Sequence, residues 1–81
     1  MFDYTICSEN NIEEFKKVCL RIEKTFPEVE KLLLLEDVDG SSVQTYVKDG
    51  KDIDVHNDYE IGAVFIRSEI DITLIIESLV A

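Results

Sequence analysis

The chain has 81 residues, 18 Asp and Glu against 8 Lys and Arg, a formal charge of −10 at pH 7 and 46% hydrophobic residues. That length holds one small domain, residues 1–81, with a single core, and the apolar fraction is that of a folding chain rather than a disordered one. The acidity excludes direct nucleic-acid binding through a basic patch, which needs Lys and Arg against phosphates, and it disfavours docking on an anionic membrane.

Phe2, Tyr4 and Ile6 alternate with Asp3, Thr5 and Cys7, the period of a half-buried strand. The same segment lacks the basic start and long apolar stretch of a secretion signal, and the longest unbroken apolar run is Leu32 to Leu35. The two cysteines, Cys7 and Cys19, are far below the density of a secreted disulfide scaffold. These features set the expectation of a cytoplasmic protein with reduced thiols, in which Cys19 packs as a small hydrophobe.

Asn11 offers a cap oxygen, and Glu14 stands three residues on, where the helix dipole favours an acid. Ile12, Phe15, Cys19, Ile22 and Phe26 then form one apolar helical stripe, which Pro27 ends. Val29 to Glu36, with four leucines, reads as a strand, followed by a turn at Asp37-Val38-Asp39-Gly40.

Val43 to Lys48 and Asp52 to His56 read as a hairpin. A two-residue Asp49-Gly50 loop mixes apolar and charged residues on each face. A three-residue Lys48-Asp49-Gly50 loop pairs Val43 with Val55 and Thr45 with Ile53, keeps one face apolar, and is therefore the expected register. Asn57-Asp58 bends the chain into Tyr59 to Arg67, apolar on both faces as an inner strand requires. Residues 69–80 carry both a strand alternation (Ile70, Ile72, Leu74, Ile76) and a helical stripe (Ile72, Ile75, Ile76, Leu79, Val80). The helix is favoured, with Ser68 and Asp71 as a capping box. The expected fold is α+β in the order β-α-β-β-β-β-α: a mostly antiparallel sheet with the first helix packed on one face.

Several constellations suggest chemistry and fall short of it. Asp37-Val38-Asp39-Gly40 matches the middle of an EF-hand loop, but Leu35 and Tyr46 occupy the positions of its first and last ligands. Asp52, Asp54, His56 and Asp58 alternate along a strand about 6.6 Å apart, too widely for one ion. They read as a solvated outer face. Ser41, Ser42 and Cys7 lack a base and an orienting partner, and Gly40, Gly50 and Gly62 are too far apart to cradle a phosphate. The expectation is therefore a protein that is not an enzyme and uses no cofactor or metal.

The charge is lopsided. Residues 1–35 carry 7 acids and 5 bases, whereas residues 36–81 carry 11 acids and 3 bases. Eight of the acids lie between Glu36 and Glu60, with Tyr46 and Tyr59 interleaved. Carboxylates on a rigid sheet mimic the spacing of nucleic-acid phosphates, and such a surface steers toward a basic protein cleft. Asp39, Asp49, Asp52, Asp54, Asp58 and Glu60 are the expected electrostatic face, with Tyr46 and Tyr59 as anchors. In size, acidity and architecture the chain resembles the immunity proteins of bacterial toxin systems, which implies a nuclease-type or other basic toxin as partner. Phage inhibitors of host nucleases, such as anti-CRISPR proteins, share these physics. The alternative is a homodimeric structural module, joined through a free sheet edge or through a Leu32, Leu34 and Tyr46 face.

Overall fold

A computed structural model describes residues 1–80, the Val80 side chain excepted. The elements in chain order are β1 (Phe2–Cys7), α1 (Ile12–Thr25), β2 (Glu30–Lys31), β3 (Leu35–Glu36), β4 (Ser42–Lys48), β5 (Lys51–Asp58), β6 (Ala63–Ser68) and α2 (Thr73–Val80). The strands form one antiparallel sheet in the order β1-β6-β5-β4, with both short strands β2 and β3 on the far edge of β4. This is an α+β fold. Among the described residues no helix is long and apolar enough to cross a membrane.

Helix α1 starts where its cap chemistry places it. Asn11 is extended, and its side-chain oxygen accepts from the backbone N–H groups of Glu13 and Glu14, both at 3.1 Å. Asn10 ties that end to β5 by donating to the Asp58 carbonyl at 2.7 Å. The buried face of α1, Phe15, Val18, Cys19 and Ile22, packs with Ile72 and Ile75 on Tyr46, Ile53, Val55, Val64 and Ile66 of the sheet. Each large apolar side chain sunk here contributes about 1.5–3 kcal/mol. Both helices therefore lie on one face of the sheet, and the other is left to solvent.

Four expectations need correction. The β4–β5 loop has two residues: Lys48 pairs with Lys51, and Asp49 and Gly50 take φ of 53° and 77°. Positive φ at both positions is the turn whose twist matches that of the flanking strands, and Asp-Gly is suited to it. The resulting register pairs Tyr46 with Ile53 and Gln44 with Val55 on the helix side, and Thr45 with Asp54 on the open side. An apolar inner face was the wrong criterion, because Ser42, Gln44 and Asn57 sit on the helix side as buried polar residues.

The expected strand from Val29 to Glu36 is instead two short contacts with β4. The chain leaves the edge after Lys31 and returns at Leu35. In between, Leu32 still donates its N–H to the Thr45 carbonyl (3.0 Å), and the Gln44 side-chain amide donates to the Leu32 carbonyl at 2.6 Å. The four leucines are consequently exposed, Leu33 at 83%.

The bend expected at Asn57-Asp58 falls later, because β5 runs on to Asp58 and the turn spans residues 59–62, closed by a Gly62 N–H to Asp58 carbonyl bond of 2.8 Å. The strand that follows, β6, lies between β1 and β5, in the inner position its apolar faces require. The C-terminal helix is present but starts at Thr73. Just before it, the Asp71 carboxylate accepts from the Thr73 N–H at 2.9 Å. Ser68 instead ends β6, buried, with its hydroxyl donating to the Ile70 carbonyl. The Val80 end of the predicted stripe lies outside the described side chains.

Candidate acidic interface

Alternation along β5 projects Asp52, Asp54, His56 and Asp58 from the open face of the sheet, while Ile53, Val55 and Asn57 point at the helices. The acids on this surface differ in what neutralises them. At one end Asp49 lies beside Lys48, whose ammonium is 3.2 Å from Asp49 and 3.2 Å from Glu28. Those two carboxylates hold the Lys48 ammonium above its ordinary range, Glu28 first. In the middle Arg67 stands directly across the ladder from both Asp3 and Asp54, and its guanidinium is 3.2 Å from the Asp3 carboxylate.

At the other end no base intervenes. Glu36, Asp37, Asp39, Asp58 and Glu60 line a depression of about 430 Å³ together with Leu35, Ser41, Val43 and His56. Two turns build it, and side chains lock them. The Asp58 carboxylate accepts from the N–H groups of Glu60 (2.9 Å) and Ile61 (3.0 Å), and the Ser41 hydroxyl accepts from the Tyr59 N–H at 2.9 Å, joining one turn to the other. Asp39 accepts from the Ser41 N–H at 2.9 Å, which holds its carboxyl below the usual range. The carboxylates of Asp39 and Asp58 are thus fixed by backbone N–H groups.

His56 forms the wall of this depression. Its ring stacks on Phe65 with centroids 4.6 Å apart and planes 5° from parallel. Burial holds the imidazole below its ordinary pKa, against the opposing pull of Asp54 and Asp58. Among the described residues, no three His, Cys, Asp or Glu side chains are grouped to hold a metal ion.

The predicted site residues therefore separate. Asp39, Asp58 and Glu60 share the depression, Asp52 and Asp54 lie further along the same face, and Asp49 is at the far end of the hairpin. Tyr59 is half-exposed and packs beside Gly40, on the helix-side edge of the sheet rather than in the depression. Tyr46 is a correction: it is 0% exposed, and its hydroxyl donates to Glu23 and the Cys19 carbonyl, so it anchors the core and no partner. Its burial follows from the hairpin register, since the three-residue loop would have turned it outward. Glu36 and Asp37 were absent from the predicted face although they stand in the same acidic run. Only the return of the chain to β4 at Leu35 brings them beside Asp58 and Glu60.

Cys7 and Cys19 are both free thiols, and burial pushes the Cys19 thiol up, as befits a packing residue. Comparison of the chain with protein-family models, with curated proteins and with solved structures gives no match.

Proposed function

We propose that this protein is a small binding module that engages a basic protein, and that it acts as an inhibitor of immunity type against a nuclease-like or other basic toxin domain. The observation that carries this reading is the depression at the β3–β4 and β5–β6 turns. It gathers five carboxylates, from Glu36, Asp37, Asp39, Asp58 and Glu60, with no Lys or Arg among its lining residues. A concave surface of one sign focuses its field and raises association rates with a partner of opposite sign. Three of the five, Asp37, Asp39 and Asp58, are held by backbone hydrogen bonds, which lowers the ordering entropy lost on binding. A phage-encoded inhibitor of a host nuclease would use the same surface. The test is capture of partners from the lysate of the source cell at low and high salt, with the Glu36→Lys/Glu60→Lys double variant beside the natural chain. Neither side chain caps a turn. A basic partner held at low salt, released by salt and lost about tenfold or more by the variant supports the reading, since fixed complementary charges change affinity on that scale. Equal capture by both proteins would end it.

A second reading rests on the sheet edge: among the described residues the outer side of β1 pairs with no strand. An open edge is a template for a second copy. Sedimentation equilibrium giving twice the 9.3 kDa chain mass, unchanged at high salt, would favour that structural role.

A further inference from the structure

The depression on the open face has a floor and an aromatic wall as well as acids. Ladder pairing sets Leu35 opposite Val43, Val43 opposite His56 and His56 opposite Phe65. Side chains directly opposite each other share a face, so these four make one row across the sheet. The His56 and Phe65 rings are 4.6 Å apart and 5° from parallel, near the strand spacing of about 4.8 Å, so the stack runs along that row. Phe65 thereby covers one face of the imidazole. Leu35, Val43 and His56 line the depression and Phe65 does not, which sets the depression against the other face of the ring.

Carboxylates stand beside this apolar strip. Asp58 follows His56 by two residues and projects from the same strand face, and Glu60 lies in the turn beyond it. Both backbone bonds to Asp58 fall on Oδ1, and among the described residues no protein group bonds its Oδ2. An occupant that complements the whole depression therefore combines positive charge with a flat face and an apolar stem. A metal ion would use the acids alone, and among the described residues no three are grouped to hold one. An ammonium is a compact, strongly hydrated point charge that gains little from a ring face. A guanidinium is planar and weakly hydrated, stacks on aromatic rings and forks onto carboxylates, while its methylene stem covers apolar surface. Burial keeps the imidazole below its ordinary pKa, so at pH 7 it carries no charge to repel a cation.

We propose that the depression is a socket for an arginine side chain of the partner protein, its guanidinium stacked on the free face of His56 and paired with Asp58 and Glu60, its stem on Val43 and Leu35. The inference rests on the reading of this site as the seat of a basic partner and narrows it. The partner is recognised here by an arginine, and positive charge alone does not suffice.

The experiment is titration of the isotope-labelled chain, at pH 7 and low salt, with a capped glycine peptide carrying one central arginine and with its lysine counterpart. The arginine peptide is expected to shift the Val43 and Leu35 methyls and the His56 ring. It should bind about twofold to fivefold more tightly than the lysine peptide, the range of an exposed cation–aromatic contact. His56→Phe keeps a flat face and should keep the preference. His56→Leu fills the same space without one and should bind both peptides alike. Position 56 lies outside the core, so both variants are expected to fold, as their amide spectra will show. The proposal is overturned if the natural chain binds the two peptides alike, if neither shifts the depression, if His56→Leu retains the preference or if His56→Phe loses it. It is equally overturned if the depression resonances shift with protein concentration in the absence of peptide, which would make the occupant a second copy. Glu36→Lys/Glu60→Lys should weaken both peptides. Equal binding of the two peptides, weakened by that variant, would sink the arginine socket and leave the acidic site standing, whereas lysate capture indifferent to the variant would remove the site itself.

Discussion

Tyr46, in the centre of the sheet, donates its hydroxyl to the carboxylate of Glu23 on α1 at 2.5 Å, and Lys31 closes on the same carboxylate at 3.1 Å. Strand, helix and the edge segment that follows the helix thus meet on one side chain. The Tyr46 bond, first, and Lys31 hold the Glu23 carboxyl below its ordinary pKa, while burial and the same bond push the phenol up. Tyr46→Phe keeps the ring in place and leaves the Glu23 carboxylate short of a donor. It is expected to cost about 1–2 kcal/mol, since the loss of one charge-assisted bond falls there. Thermal unfolding should drop by about 4–8 °C per kcal/mol for a chain of this size.

The same pair sets an acid limit. A carboxyl depressed in the folded state adds stability that is complete above its unfolded value near 4.5 and is lost as pH falls through the lower folded value. Denaturant unfolding of Glu23→Gln should therefore show a shallower decline over that interval than the natural chain, with the two curves converging at the most acid pH.

His56 gives a second pH dependence, separated in range. Its imidazole is held below the ordinary 6.5, with burial as the main cause, so the unfolded chain takes up a proton before the folded one does. Stability should then fall as pH drops through 6.5 toward the folded value and level off below it. His56→Gln should flatten this stretch. A profile identical to that of the natural chain would mean that the stack on Phe65 does not withhold the proton.

The hairpin register rests on a two-residue turn in which Gly50 has a φ of 77°. A side chain at that angle is strained even though space for it exists, because nothing lies within 4 Å of a Cβ added there. Gly50→Ala is expected to cost about 1–2 kcal/mol, the price of the left-handed conformation. Asp49→Asn, which suits the same turn, should cost far less, as urea unfolding of the two variants side by side would establish.

Ile22 and Ile66 are both fully buried, one on α1 and one on the sheet. Truncating either to Ala removes apolar contact and leaves a cavity, an expected loss of about 2–5 kcal/mol. In so small a domain that is a large part of the total stability, and a flattened thermal transition is the readout.

How much could be read from residues alone depended on whether the signal was local. Helix α1 was legible from end to end, because the Asn11 cap, the 3–4 spacing of Phe15, Cys19 and Ile22 and the stop at Pro27 all act within a few residues. The strand at Phe2–Cys7 and the α+β class followed from short-range alternation in the same way, and the excess of acid after Glu36 needed only counting. The hairpin register did not follow, because two pairings of similar local merit differ only in what the helix must cover. The structure settles it in favour of the turn, and with it Tyr46 goes into the core and Gln44 and Asn57 to the buried, helix side of the sheet. Nor could the sequence tell which acids meet. Glu36 and Glu60 are 24 positions apart in the chain and become neighbours only because β3 returns to β4 while β5 runs antiparallel beside it. The sequence by itself determined how much negative charge this protein carries and which segments alternate. Tertiary structure alone decided where the charge goes uncompensated, because Lys48, Lys51 and Arg67 all fall at the other end or in the middle of the sheet.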